Sequence, residues 1–358
     1  MRVRLTVGVV CVAALGLSIN GQQGTHLNPM VDLLMAKKAV FGLGVPSVGR
    51  AGGGGNRGRG AAPGAAATTT PPPPPPAPAP PAAPAPPPKT PAELVADAFA
   101  HPEADYFFTA MMERNIDAGA TTMIALQDAA ADAGPLSTTA PKRLRMPINS
   151  KAPNISRADM AADPANYVTN LSRQLNAGVS SISFVEVDSA EELRLGIAAL
   201  RFKAKGGTRP DDVGSAPKYW GLSEGEYRKK ADVWPLNPEG ELVVTAIIET
   251  MEGLANVREI AQVPGLSVLA PGAGTLGGVF STTNAEGRRV RDDVAWEAAI
   301  QTVLSACKEF KLSCAYPVSE ADIETRMQQG FNVGILQSFN DGAFRAVAKG
   351  RQLSGRDK

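Results

Sequence analysis

Residues 241–280 read ELVVTAIIETMEGLANVREIAQVPGLSVLAPGAGTLGGVF, and this stretch decides the fold. Leu242–Ile248 is an almost unbroken apolar run with no polar face, too short to be a buried helix. It reads as a strand covered on both sides, which is the mark of a parallel sheet. The run ends on Glu249. Leu254, Val257, Ile260 and Ala261 then recur at helical spacing over Gly253–Gln262, and Pro264-Gly265 breaks the pattern. A second apolar strand, Leu266–Ala270, runs into Pro271-Gly272-Ala273-Gly274. In a β/α barrel, chemistry sits where strands end and the following loops begin. Glu249 and the Gly272–Gly274 turn are neighbours in such a fold.

Working outward, the same alternation recurs. Ala39–Val45, Asp105–Thr109, Arg143–Ile148 and Ser181–Val187 read as four earlier strands, and Ser313–Tyr316 and Asn332–Leu336 as two later ones. Helical patterns fall between them: Thr90–Phe99, Asp117–Ala133, Asp163–Ala177, Ser189–Phe202, Asp292–Phe310, Ser319–Gln329 and Asp341–Lys349. Asn149–Met160 reads as a loop. Lys203–Gly240 carries Tyr219, Trp220, Tyr227 and Trp234 and reads as an ordered excursion with short helices. Eight strands alternating with helices predict an α/β fold closed as a (β/α)8 TIM barrel. A doubly wound open sheet is the alternative, but no GxGxxG turn follows the first strand.

The remaining segments bound the organisation. Residues 1–22 read as a signal peptide. Arg2 and Arg4 precede the apolar Leu5–Leu17, which falls short of the ~20 residues that span a bilayer. The expected location is therefore periplasmic or extracellular, with an uncleaved N-terminal anchor as the alternative. Residues 23–48 begin the barrel, with Asn28 as helix cap and Pro29 at the first position. Residues 49–89 form a low-complexity Gly/Pro/Ala insertion after the first strand, whose composition cannot bury a core. Residues 90–350 complete the barrel and 351–358 form a tail. A net charge of +1 gives no reason to expect nucleic acid as a partner. Cys307 and Cys314 read as two buried free thiols, a disulfide being the alternative.

Five segments together resemble one family. They are NPMVDLLMAKKAVFGLGVPS from Asn28, DYFFTAMMER from Asp105, RLRMP ending at Pro147, VEVDSAEELRLGIAALRF with VGSA at Val213, and TAIIETMEGLANVREIAQVPGLSVLAPGAGTLG. The chain resembles the HpcH/HpaI aldolases, metal-dependent class II pyruvate aldolases whose barrel is shared with citrate lyase β-type enzymes. The resemblance implies a divalent metal, Mg²⁺ or Mn²⁺, bound by Glu249 and by an acidic residue at the next strand end, a position that falls on Gly274 here or near it with a gap. It implies Arg145 as the residue that holds the keto-acid and stabilises developing charge, with Arg143 as the competing match. Glu113 stands where the family has a catalytic His. Backbone amides of Gly272, Ala273 and Gly274 are candidates to hold a substrate carboxylate.

The function so implied is a lyase that reversibly cleaves a 4-hydroxy-2-oxo acid to pyruvate and an aldehyde. The alternative is a barrel that has lost this chemistry and binds a small carboxylic acid or acts as an exported scaffold. A homo-oligomer is implied by the resemblance, and no stable membrane span remains after signal cleavage.

Overall fold

The computed structural model describes residues 26–47, 87–134, 143–153 and 162–357. The expected signal peptide and residues 49–86 of the insertion lie outside the described residues. No helix of the described residues is long and apolar enough to cross a membrane.

Eight parallel strands close on themselves. They are β1 (Val40–Gly44), β2 (Tyr106–Thr109), β3 (Ile148–Lys151), β4 (Ser181–Phe184), β6 (Leu242–Ile248), β7 (Val268–Pro271), β10 (Ser313–Pro317) and β11 (Val333–Ile335). The order is β4-β3-β2-β1-β11-β10-β7-β6, and β4 pairs with β6 to shut the ring. Ser183 lies beside Thr245 at that seam. The short β5 (Val233–Trp234) adds to β6 outside the ring, and β8 (Ser281–Thr283) pairs with β9 (Arg289–Arg291) as a separate antiparallel hairpin. The expected TIM barrel is the fold.

Helices take the positions their caps dictate. In α2 (Pro91–Phe99), Thr90 and Glu93 form a reciprocal capping box, satisfying two amides that have no partner inside the helix. The helices α4 (Ile116–Asp132), α5 (Pro164–Asn176), α6 (Ala190–Leu200), α12 (Asp293–Glu309) and α14 (Asp341–Leu353) surround the barrel, each burying one apolar face. Short α3 (Met111–Arg114) follows β2, and α7 (Ala216–Trp220) and α8 (Glu224–Lys230) form the ordered excursion, with Tyr219, Trp220 and Tyr227 buried. Between β6 and β7 the expected single helix is divided into α9 (Met251–Ala255) and α10 (Val257–Ile260), and α11 (Ala273–Val279) and α13 (Ile323–Gln329) follow β7 and β10.

One end of the barrel is plugged. Met30, Val31 and Leu34 of α1 (Pro29–Met35) pack with the inward-facing Val40, Tyr106, Val243 and Val333. Asn28 pins this plug: its N–H donates to Glu241 Oε2 at 3.0 Å, and its Nδ2 donates to the carbonyls of Ser180 (3.2 Å) and Glu241 (3.0 Å). Glu241 is fully buried, and burial pushes its carboxyl up against the opposing pull of the Asn28 and Leu27 amides and His26. These contacts lie at the N-terminal ends of β4 and β6. The opposite end, where the strands finish, is left to the site.

The third strand is a correction. The expected span 143–148 is mostly approach, and the strand is Ile148–Lys151, of which all but Ile148 lies inside the stretch read as a loop. Pro147 cannot donate to a ladder, so pairing begins after it. The strand tolerates polar residues because they pair across the interior: Asn149 Nδ2 donates to Ser181 Oγ at 2.9 Å, and Ser183 Oγ donates to Asn149 Oδ1 at 2.8 Å.

The cysteines are a second correction. Cys307 and Cys314 form a disulfide, with Cα atoms 5.7 Å apart. Lys311 adopts positive φ (58°), which turns the chain back after α12 and brings the start of β10 alongside the helix end.

Candidate active site at the strand ends

Glu249 directly follows β6 and is 6% exposed. Side chains alternate along a strand, so Glu249 shares the inward face with Ile247, which belongs to the barrel interior. Both carboxylate oxygens are engaged. Oε2 accepts from the Glu186 N–H at 3.1 Å, and Oε1 accepts from the Thr275 hydroxyl at 2.7 Å. Gly272 makes this possible: a Cβ there would lie 2.2 Å from Glu249 Cγ, so only glycine lets the end of β7 come so close.

Glu186 lies two residues beyond β4, and its backbone is in the left-handed region at φ 50°. Such a conformation is uncommon for a residue with a side chain and is found at sites that over-determine it. Here it aims the N–H at Glu249. The Glu186 carboxyl is pushed above the usual range, first by partial burial and then by the charges of Glu249, Asp188 and Glu113, with Lys151 opposing. Asp188 in turn accepts from the Thr250 hydroxyl, and Asn256 Nδ2 donates to its carbonyl at 2.8 Å.

Lys151 ends β3 on the same inward face as Asn149. Its Nζ lies 3.2 Å from Glu113 Oε1, and both side chains are mostly buried, 20% and 14% exposed. Gln174 Nε2 donates to the Lys151 carbonyl at 2.9 Å, holding the strand end in place. Glu113 therefore stands at the barrel mouth, as the sequence predicts, but as the partner of a lysine.

Arg145 does not reach this mouth. It precedes β3 and so lies at the plugged end, where its Nη1 donates to the carbonyls of Ala130 and Ala131, both at 2.7 Å. A cation at the end of α4 satisfies carbonyls that have no helical partner. The displaced third strand is the cause: a basic-x-Pro spacing recurs six residues later as Lys151-Ala152-Pro153, and that copy closes the observed strand. Arg143 is likewise outside the mouth, paired with Asp32 at 3.1 Å.

Gly274 does not face Glu249 either. A Cβ there would meet nothing within 4 Å, whereas the next residue, Thr275, bonds Glu249 directly. The position that meets the carboxylate is thus occupied by a neutral hydroxyl. Asp292 and Asp293, among the nearer later carboxylates in sequence, are used elsewhere: Asp292 caps α12, and Asp293 accepts from Arg291 Nε at 2.6 Å. Among the described residues no three His, Cys, Asp or Glu side chains converge as metal ligands. With both Glu249 oxygens engaged and Thr275 as its neighbour, the residues present do not fit a divalent-metal centre. Thr275→Asp is expected to create the missing carboxylate pair and to tighten Mn²⁺ binding by ~10-fold or more over the parent, measured by isothermal titration. Unchanged binding would show that Thr275 is not the second position.

Lys151, Glu186 and Thr275 are the residues that reading the sequence missed. The Lys-Ala-Pro spacing was the available signal for the first. Nothing in the local sequence marks the other two.

The family model for HpcH/HpaI aldolase/citrate lyase matches residues 118–334, more than half of the chain, and includes Lys151, Glu186, Glu249 and Thr275, with Glu113 lying just before it. The chain belongs to this family. Family chemistry is of the lyase type. A HpcH/HpaI aldolase/citrate lyase family protein from Burkholderia cenocepacia J2315 has a similar fold, with 15% identity over 92% of this chain and 100% of that one, and a TM-score of 0.56. Two further solved structures resemble the chain more loosely. The HpcH/HpaI aldolase from Desulfitobacterium hafniense DCB-2 has 14% identity over 73% and 87% of the two chains and a TM-score of 0.48. The citrate lyase beta subunit from M. tuberculosis, complexed with oxaloacetate and magnesium, has 19% identity over 72% and 91% and a TM-score of 0.41. No curated protein matches the chain significantly.

Proposed function

We propose that this family member is a carbon–carbon lyase that cleaves a 4-hydroxy-2-oxo acid to pyruvate and an aldehyde. The observation that carries the reading is the convergence of Lys151, Glu113, Glu186 and Glu249 on one barrel end. Cleavage needs a proton removed from the C4 hydroxyl as the C3–C4 bond breaks, and electrons accepted at the C2 carbonyl. Lys151 supplies the positive charge facing that carbonyl. Glu186, at the same mouth and with its carboxyl raised above the usual range by partial burial and the charges of Glu249, Asp188 and Glu113, is assigned to carry the proton. Glu249 fixes Glu186 and the start of α11 relative to each other. The Gly272 N–H is spent on the Ile248 carbonyl at 2.8 Å, which leaves the first amides of α11, at Ala273 and Gly274, with no acceptor within the helix and suited to the substrate carboxylate. Export through residues 1–22 belongs to the same reading.

The test is pyruvate release from a panel of 4-hydroxy-2-oxo acids, together with exchange of pyruvate methyl protons in deuterium oxide. Both are measured with EDTA and with added Mg²⁺ or Mn²⁺. Turnover with any member supports a lyase. Absence of both reactions under every condition would leave a barrel that binds a small acid without breaking it.

A further inference from the structure

We propose that Lys151 is a Schiff-base lysine, with Glu113 as its proton carrier, and that the iminium it forms is the electron sink of this barrel. The inference rests on the proposed 2-oxo-acid chemistry and says how the carbonyl is activated. Three observations lead to it. Lys151 ends β3 on the inward face, with Nζ at the mouth and its side chain one-fifth exposed, so a small carbonyl compound can reach it. Among the described residues its ion-pair partner is Glu113, with Oε1 at 3.2 Å, close enough to take and return a proton. On the opposite side of the mouth, Thr275 stands where Glu249 needs a second carboxylate to hold a Lewis acid. An amine can do covalently what an ion would do electrostatically, and an arginine at this strand end could not.

The steps balance. The Lys151 ammonium gives one proton to Glu113, and the freed amine attacks C2 of the 2-oxo acid. A C–N bond forms as the carbonyl π pair moves to oxygen, which is protonated by Glu113 to a hydroxyl. The nitrogen gives up its second proton, and the hydroxyl leaves with it as water while the nitrogen lone pair forms C=N⁺. Ammonium plus ketone thus becomes iminium plus water, with no net change of proton or electron. The C3–C4 electron pair then moves toward the iminium, giving an enamine, and the C4 hydroxyl loses its proton to become the aldehyde. Protonation at C3 and addition of water release pyruvate and return the lysine.

The experiment incubates the full chain with pyruvate and sodium borohydride in the presence of EDTA. The expected result is one reduced pyruvyl adduct per chain by intact mass, mapped to Lys151 by peptide sequencing. Lys151→Arg keeps the charge facing Glu113 and removes the nucleophile. It is expected to lose the adduct entirely and to reduce cleavage to background. Absence of an adduct in the parent protein overturns the proposal, as does Lys151→Arg retaining cleavage within tenfold of the parent. Should the variant fail to fold by thermal unfolding, the adduct in the parent protein still decides. An adduct at Lys151 without cleavage of any hydroxy-oxo acid upholds the Schiff base and overturns the lyase reading. Cleavage without an adduct does the reverse.

Discussion

Glu249→Ala is expected to lower kcat/KM for cleavage of the best 4-hydroxy-2-oxo acid by at least ~10²-fold, about 2.7 kcal/mol of transition-state stabilisation. The argument is geometric. One carboxylate accepts from the backbone of Glu186 on the β4 side and from the Thr275 hydroxyl on the β7 side, so it joins the two loops that flank the mouth. Without it the left-handed conformation of Glu186 loses the bond that its N–H makes, and the strained residue has reason to relax. The start of α11 loses its anchor at the same time, and Gly272 leaves room for Thr275 to drift. Glu249→Gln separates charge from shape. Its amide oxygen keeps one of the two bonds, so a loss much smaller than that of alanine assigns Glu249 to positioning, and an equal loss assigns the effect to its charge. Steady-state kinetics with both variants is the measurement. Alanine activity within threefold of the parent would sink this reading of the mouth.

Asp232→Ala is expected to destabilise the fold by about 3 kcal/mol, roughly 6–12 °C in Tm for a domain of this size. Asp232 is 1% exposed and stands between the excursion and the barrel. Its Oδ1 accepts from Arg201 Nε at 2.7 Å and from the Val233 N–H at 2.9 Å, and Oδ2 accepts from Asn237 Nδ2 at 3.0 Å. Lys205 adds a contact at 3.6 Å. Removing the carboxylate strands a partly buried guanidinium and leaves donors unpaired, which costs more than the pair itself contributes. The same contacts set a pH dependence. Burial raises the carboxyl, but the bonds from Arg201, Asn237 and Val233 outweigh it and hold it below the usual range. A depressed folded-state value means stability that is present above the ordinary carboxylate range and lost as pH falls through it toward the folded value. Parent protein should therefore lose stability on acidification more steeply than Asp232→Ala, read from denaturant midpoints at a series of pH values. Parallel pH profiles, or an alanine variant as stable as the parent, would remove Asp232 from this role.

Much of the barrel is legible in the chain itself. β6 is seven residues, apolar but for Thr245 and buried throughout, and such a run reads as a strand covered on both faces. Thr90, Asn28 and Gly330 mark helix ends through local hydrogen bonds or a positive φ, and those interactions need nothing beyond a few neighbouring residues. β3 failed for the converse reason. Its Asn149 and Ser150 look like loop residues until Ser181 and Ser183 of β4 are placed beside them, and that partnership lies 32 and 34 residues away.

The site divides along the same line. Glu249 and Glu113 follow strands whose ends the apolar pattern marks, so their place at the mouth is set by sequence alone. Which cation meets Glu113, and which residue meets Glu249, depends on where β3 begins and how α11 turns. Arg145 and Lys151 differ by six positions in sequence and by opposite ends of the barrel in space. Gly274 and Thr275 differ by one position, and a helical turn decides which of them faces the carboxylate. The eightfold alternation and the acidic strand ends are written in the chain, because periodicity and caps are local. That a lysine faces Glu113 and a threonine faces Glu249 emerges on folding, because register and helix rotation are set by partners distant in the chain.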